Sequence, residues 1–146
     1  MSIGATLYER AIMLDTGPLI SLYNPSDSRG NQIQEILRSV VTSCFPLCVT
    51  ITVISETHSR LLYDVNRTIA YRFLNDYYQD ISNQDLNLID ITIADFADAV
   101  RIIGKYSDQA ISFTDALVMA VMKRIGIRTV LTYDHHFWLL NFSVIP

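Results

Sequence analysis

The stretch AIMLDTGPLISLY, residues 11–23, decides how the rest of the chain is read. Ala11–Leu14 is a continuous apolar run, right for a buried strand and too short for a helix. Asp15-Thr16-Gly17-Pro18 ends it. Pro18 suits the first turn of a helix, Thr16 or Gly17 suits its cap, and LISLY carries the helix on. A buried strand that turns straight into a helix is the opening unit of an α/β fold with a mostly parallel sheet. It also leaves an acid, Asp15, at the carboxyl end of the first strand.

The same alternation runs outward from this unit. Asn24–Gly30 (NPSDSRG) is a connecting loop. Gln32–Val41 is a helix with Ile33, Ile36, Leu37 and Val40 on one face, and Leu47–Thr50 is a second strand. Thr52 is expected to cap a helix that carries Glu56. Asn66–Asp80 repeats Ile69, Phe73 and Tyr77 at four-residue steps, an amphipathic helix. Leu86–Ile89 is a strand, and Thr92-x-x-Asp95 reads as a capping box. The helix it opens is expected to turn Ile93, Ala97, Val100 and Ile103 inward and to stop at Gly104. Thr114 and Asp115 open Ala116–Ile125, apolar nearly all round, with Lys123 and Arg124 favouring its C-terminal dipole and Gly126 ending it. Arg128–Leu131 is a strand, Asp134–Leu139 a helical turn, and Phe142–Ile145 a last short strand. The expected architecture is a single α/β domain over residues 1–146, three layers (α/β/α) around the sheet.

Composition sets the limits. The chain has 146 residues, half of them hydrophobic and 18% charged, with mean hydropathy +0.25. That suits one packed core and excludes intrinsic disorder. A net charge of −4 and a pI near 5.2 argue against a nucleic-acid binder that works by bulk positive charge. Cys44 and Cys48 are too few for a disulfide framework and are expected to be buried thiols. The opening MSIGATLYERAIML lacks the order of a signal peptide, and no apolar run approaches the ~20 residues of a membrane helix. A reducing cytoplasm is the expected compartment.

Four acids sit where chemistry is to be expected. Asp15 follows the first strand, Glu56 lies early in the helix after LCVT, Asp115 opens a helix after the short run Ala110–Phe113, and Asp134 follows RTVLT. In a parallel α/β sheet the strand-to-helix junctions share one edge, and ligands bind there. Singly, each acid has an ordinary explanation as a cap, a turn former or a surface charge. Together they can converge. Two like charges ~4 Å apart near a surface repel by about 4 kcal/mol, so an all-carboxylate cluster calls for a hard divalent cation, Mg²⁺ or Mn²⁺. Such an ion activates water and screens a phosphodiester.

The segments AIMLDTGPLISLYNPSD (Ala11–Asp27), SETHSRLL (Ser55–Leu62), SFTDALVMA (Ser112–Ala120) and TVLTYDHHF (Thr129–Phe137) resemble the four acidic motifs of the PIN-domain family. The chain is similar to its small stand-alone VapC-type toxins, in order from about Ile12 to Val144. The resemblance implies a Mg²⁺- or Mn²⁺-dependent endoribonuclease held inactive by a cognate antitoxin, and a homodimer. It puts the metal-binding and catalytic acids at Asp15, Glu56, Asp115 and Asp134, with Thr16 as the small hydroxyl beside the first acid. Thr114 and Asp108 are further neighbours of the expected site. Arg60, Arg67 and Arg72 are helix-borne candidates for contact with RNA, although a solvated helix face explains them as well.

Other readings fare less well. Asp15-Thr16-Gly17 is also the aspartic-protease triplet, but that fold is nearly all β. A phosphate-accepting receiver domain needs a Lys after a late strand, and RTVLTYD has none. His58, His135 and His136 lack ligand spacing and are not expected to hold a metal. The competing functions are a non-catalytic PIN-fold module that binds nucleic acid or protein, and an interaction protein that acts chiefly in a DNA-regulating antitoxin complex. For the latter, Tyr63, Tyr71, Phe73, Tyr77 and Tyr78 offer anchors, although helix packing explains Phe73 and Tyr77 at least as well.

Overall fold

The computed structural model describes residues 8–146, so the first half of the opening segment read above for leader character, residues 1–7, lies outside it. The strands are β1 (Ile12–Leu14), β2 (Leu47–Thr50), β3 (Asn87–Ile89), β4 (Thr129–Leu131) and β5 (Ser143–Ile145). They form one sheet in the order β3-β2-β1-β4-β5, and every pairing is parallel. Helices α1 (Thr16–Tyr23), α2 (Gly30–Thr42), α3 (Ile51–Asp64), α4 (Arg67–Ser82), α5 (Ile93–Lys105) and α6 (Phe113–Ile125) flank it, with a 3₁₀-helix over His135–Leu140. The expected single α/β domain is what is seen.

Hydrophobic burial dictates the layering. All three residues of β1 are buried, because the strand lies mid-sheet with helices to cover it. Helix α6 buries Ala116–Met122 without a break, as its all-round apolar sequence requires. Helix α1 packs on α2 and α3, α3 on α4, and α5 on α6. Tyr23, Phe73 and Tyr77 form an aromatic cluster between α1 and α4, with Tyr23 and Phe73 edge to face at 5.2 Å. Phe73 and Tyr77 are therefore core. Tyr63, Tyr71 and Tyr78 are exposed.

Several local expectations need correction. Thr50, the last residue of β2, caps α3 by accepting from the Val53 N–H at 3.5 Å, and Thr52 hydrogen-bonds to it instead. The strand thus turns into the helix with no intervening residue. Helix α5 has its capping box at Thr92 and Asp95, but it buries Asp95, Ala99 and Ile102 and exposes Ile93 (85%), Phe96 (50%) and Val100 (55%). It also runs past Gly104 to Lys105. Helix α6 begins at Phe113 with Ser112 as its cap, so Asp115 is its third residue, and it follows a loop and not a strand. Cys48 is buried but Cys44 is exposed. Cys44 takes the left-handed residue of the turn that closes α2, where Phe45 N–H reaches back to the Val40 carbonyl at 3.1 Å.

Candidate functional site

The chain starts in the middle of its sheet. From β1 it moves outward through β2 to β3, then crosses to β4 and β5 on the other side. Between β1 and β4 the direction of winding reverses, and at the carboxyl ends of such a pair the following loops diverge and leave a crevice. Leu14 pairs with Leu131 across these strands, and Asp15 N–H bonds the Leu131 carbonyl at 3.1 Å. Asp15 and Thr132 are therefore the first residues beyond the ladder. Their side chains meet: the Thr132 hydroxyl donates to Asp15 Oδ2 at 2.7 Å and accepts from the Asp134 N–H at 3.0 Å. One buried hydroxyl thereby ties the Asp15 carboxylate to the Asp134 backbone.

A cavity of about 310 Å³ opens on this crevice, lined by Asp15, Thr16, Gly17, Ile20, Arg29, Glu56, Arg60, Asp115, Thr132, Tyr133 and Asp134. All four acids singled out in the sequence line it, each from a different segment. Asp15 stands at the N-cap of α1 but gives that helix no side-chain cap bond. Glu56 projects from α3, Asp115 from the first turn of α6, and Asp134 caps the 3₁₀-helix by accepting from the His136 N–H at 2.9 Å. Thr16 lines the cavity with a buried hydroxyl that has no partner among the described residues. Asp108 is exposed in the loop before α6, where Gln109 donates to it, and neither it nor Thr114 lines the cavity. Arg60 lines it, whereas Arg67 and Arg72 do not; Arg72 lies 5.6 Å over the Tyr23 ring.

The carboxylates perturb one another. Burial pushes Asp15 up to about 6 against the opposing pull of the Thr132 bond, and Asp134 and Glu56 add repulsion. Asp115 is pushed up to about 9 by burial, by its hydrogen bond with Asp134 and by the charges of Asp15 and Asp134. Burial also raises Asp134, but the Asp115 bond and the His136 contacts outweigh it and hold this carboxyl below its ordinary value. Asp115 is thus pushed upward and Asp134 downward, and the two carboxyls titrate as one pair. His136 Nδ1 stands 2.8 Å from Asp134 Oδ1, close enough for an ion pair but without hydrogen-bond geometry.

The donor chemistry fits a hard divalent cation. Asp15 Oδ1 is buried with no hydrogen-bond partner among the described residues, a cost that a cation would remove, and every acidic donor in the cavity is a carboxylate oxygen. Among the described residues, no three His, Cys, Asp or Glu side chains are already drawn together as a closed cation cage.

The sequence matches the PIN domain over residues 12–141. The chain belongs to the PIN-domain family. Its fold is similar to that of several solved structures. VapC20 of Mycobacterium tuberculosis, a sarcin-ricin-loop-cleaving toxin, superposes with TM-score 0.78 at 21% identity, over 90% of this chain and 96% of that one. VapBC2 of Rickettsia felis, bound to a promoter DNA fragment, gives 0.66 at 14% over 92% and 97%. FitAcB of Neisseria gonorrhoeae gives 0.61 at 16% over 92% and 96%. Among curated proteins no sequence matches the chain. PIN domains are generally nucleases.

Sequence reasoning missed Thr132, Tyr133 and Arg29. Thr132 was legible only as a strand residue, because its role comes from the register of β4 beside β1. Arg29 is hidden in a loop that reads as a plain connection.

Proposed function

We propose that this PIN-domain protein is an endoribonuclease, the toxin of a toxin–antitoxin pair, that hydrolyses RNA phosphodiesters with Mg²⁺ or Mn²⁺. The observation that carries the reading is the meeting of Asp15, Glu56, Asp115 and Asp134 around one cavity at the β1/β4 crevice. Those four carboxylates would hold the ion, which would supply positive charge to draw a water towards deprotonation and to screen the phosphodiester. The chain's own residues prepare the site. Thr132 holds the Asp15 carboxylate and the Asp134 backbone together, and Thr16 offers a hydroxyl without a partner among the described residues at the cavity wall. Single-stranded loops of structured RNA are the substrate class, since their backbones and bases are accessible where those of a duplex are not.

The toxin reading draws on the similar folds of VapC20 and VapBC2, and with it we propose a cognate antitoxin as partner and a homodimer as working form. Tyr63, Tyr71 and Tyr78, exposed on α3 and α4, offer such a partner amphipathic anchors. The experiment is RNA cleavage by the pure protein with Mg²⁺ or Mn²⁺, with EDTA and Asp115→Asn as controls. Cleavage that needs the metal and Asp115 is expected. Folded protein that cleaves no cellular RNA with either ion would leave the non-catalytic binding module as the better account. Expression alone should also halt bacterial growth, and co-expression of the antitoxin should restore it.

A further inference from the structure

At the rim of the carboxylate cavity four side chains close a ring. Arg29 donates from Nε to Asp27 Oδ1 at 3.1 Å and from Nη2 to Asp27 Oδ2 at 2.9 Å. Asp27 also accepts from the Ser21 hydroxyl at 2.8 Å, and Ser21 accepts from the Tyr133 hydroxyl at 2.9 Å. The ring closes where the Arg29 guanidinium lies 4.3 Å from the Tyr133 centroid, a cation–π stack. Two glycines permit it. A Cβ on Gly17 would stand 2.9 Å from Tyr133 Cδ2, and one on Gly30 would stand 2.6 Å from the Ser21 carbonyl oxygen. Without Gly17 the tyrosine could not lie on the first turn of α1, and without Gly30 the NPSDSRG loop could not bring Arg29 against it.

We propose that Arg29 is a phosphate-binding residue of the RNA site, preset by Asp27 and Tyr133 to hold a backbone phosphate of the strand that enters the carboxylate cavity. The inference rests on the nuclease reading and adds to it the residue that lets an acidic protein grip a polyanion. Arg29 lines the cavity, its side chain is 55% exposed, and Nη1 makes no bond among the described residues. A guanidinium retains donors on its free edge after one carboxylate has taken the other, and phosphate accepts there in fork geometry. The other cation at the rim, Arg60, pairs with Asp64 across one helical turn with both side chains more than half exposed. Such a pair is weak and mobile. Arg29 has already given up its freedom to the ring, so less is lost when a phosphate binds.

The test compares Arg29→Gln, which keeps a side chain of similar reach without the charge, with Arg29→Lys, which keeps the charge without the fork. Binding of a short fluorescein-labelled single-stranded RNA is followed by anisotropy in EDTA across a salt series, and cleavage kinetics are measured with Mg²⁺ or Mn²⁺. Arg29→Gln should bind more weakly and lose about 0.7 from the slope of log Kd against log salt, the increment for one phosphate on a single strand. Its KM should rise with little change in kcat, the pattern of lost uniform binding. Arg29→Lys should keep the slope. Arg101→Ala, on α5, should match the wild type in both assays. Wild-type slope and KM in Arg29→Gln would overturn the proposal and leave the nuclease reading intact. So would equal losses in the Gln and Lys variants with matching falls in melting temperature, which would make Arg29 a loop staple. A wild-type protein that neither binds nor cleaves single-stranded RNA would remove the nuclease reading itself, and this inference with it.

Discussion

Thr132 shows how much one hydroxyl governs here. It donates to Asp15, whose other oxygen is buried without a partner among the described residues. Thr132→Val keeps the shape and removes that bond, leaving a buried carboxylate with both oxygens unmet by side chains. A loss of about 1–3 kcal/mol is expected, with cleavage nearly abolished, whereas Thr132→Ser should retain both; melting curves and RNA cleavage check this together. The neighbouring acids make a second prediction, for the metal-free protein. Asp15 and Asp115 are raised in the folded state, chiefly by burial, to about 6 and about 9. Between the ordinary carboxyl range near pH 4 and those raised values, the folded chain holds more protons than the unfolded one. Stability must then fall as pH rises through that window. Asp27 and Asp95 are shifted the other way and act only below it. Melting temperature in EDTA should therefore drop from about pH 5 to pH 8. Asp115→Asn or millimolar Mg²⁺ should flatten the drop, and added metal should stabilise the wild type much more than the mutant. A mutant with an undiminished metal response would exclude a shared carboxylate site.

Among the elements, α5 and α6 are joined by a contact that the sequence hides. Arg124 reads as a cation at the C-terminal end of a helix, and it is one. In the fold it also forks Asp95, with Nε to Oδ1 at 2.9 Å and Nη2 to Oδ2 at 3.0 Å, and donates to the Asp90 carbonyl at 2.8 Å. Asp95 is 2% exposed and is at the same time the acid of the α5 capping box. Arg124→Ala should cost about 1–3 kcal/mol, because a buried carboxylate loses its charged partner. Lys123→Ala should cost little, since its contact with Asp98 at 3.5 Å is a solvent-exposed pair. Denaturant melts of the two variants separate them. The capping box itself was legible because it is a local pattern over four residues, and so were the apolar face of α2 and the end of α6 at Gly126. The inward face of α5 was not. Ile93, Ala97, Val100 and Ile103 are apolar at helical spacing, but so is the outward set that includes Phe96, and the helix turns Asp95 inward because Arg124 meets it there. Nothing within α5 records that choice.

On the scale of the whole molecule, the alternation of strands and helices was readable from Ala11–Tyr23 outward, and the four acids were found as candidates from their positions alone. What was not readable is which strands become neighbours. The β1/β4 pairing brings Asp15 to Thr132 across 117 residues, and the NPSDSRG loop brings Arg29 to Tyr133; long-range register of this kind leaves no local mark. The outward stripe of α5 carries the last prediction. Ile93, Phe96 and Val100 are exposed at three- and four-residue steps, and Phe96 packs edge to face on the exposed Phe113 at 5.1 Å. A continuous apolar stripe of this kind is unusual on a surface that must stay monomeric. On the homodimer reading, a two-fold axis across α5 would lay the stripe against its own copy, a self-complementary contact of the commonest oligomer type. Because these positions are exposed in the single chain, a charge there should leave the fold within about 0.5 kcal/mol of wild type. Two such charges across a two-fold would face each other in the dimer. Val100→Asp should therefore elute as a monomer with an unchanged circular-dichroism melt onset at low concentration, while the wild type elutes as a dimer. A wild type that stays monomeric at high concentration would rule the dimer out, and a dimer indifferent to both Val100→Asp and Ile93→Asp would place its interface on another face.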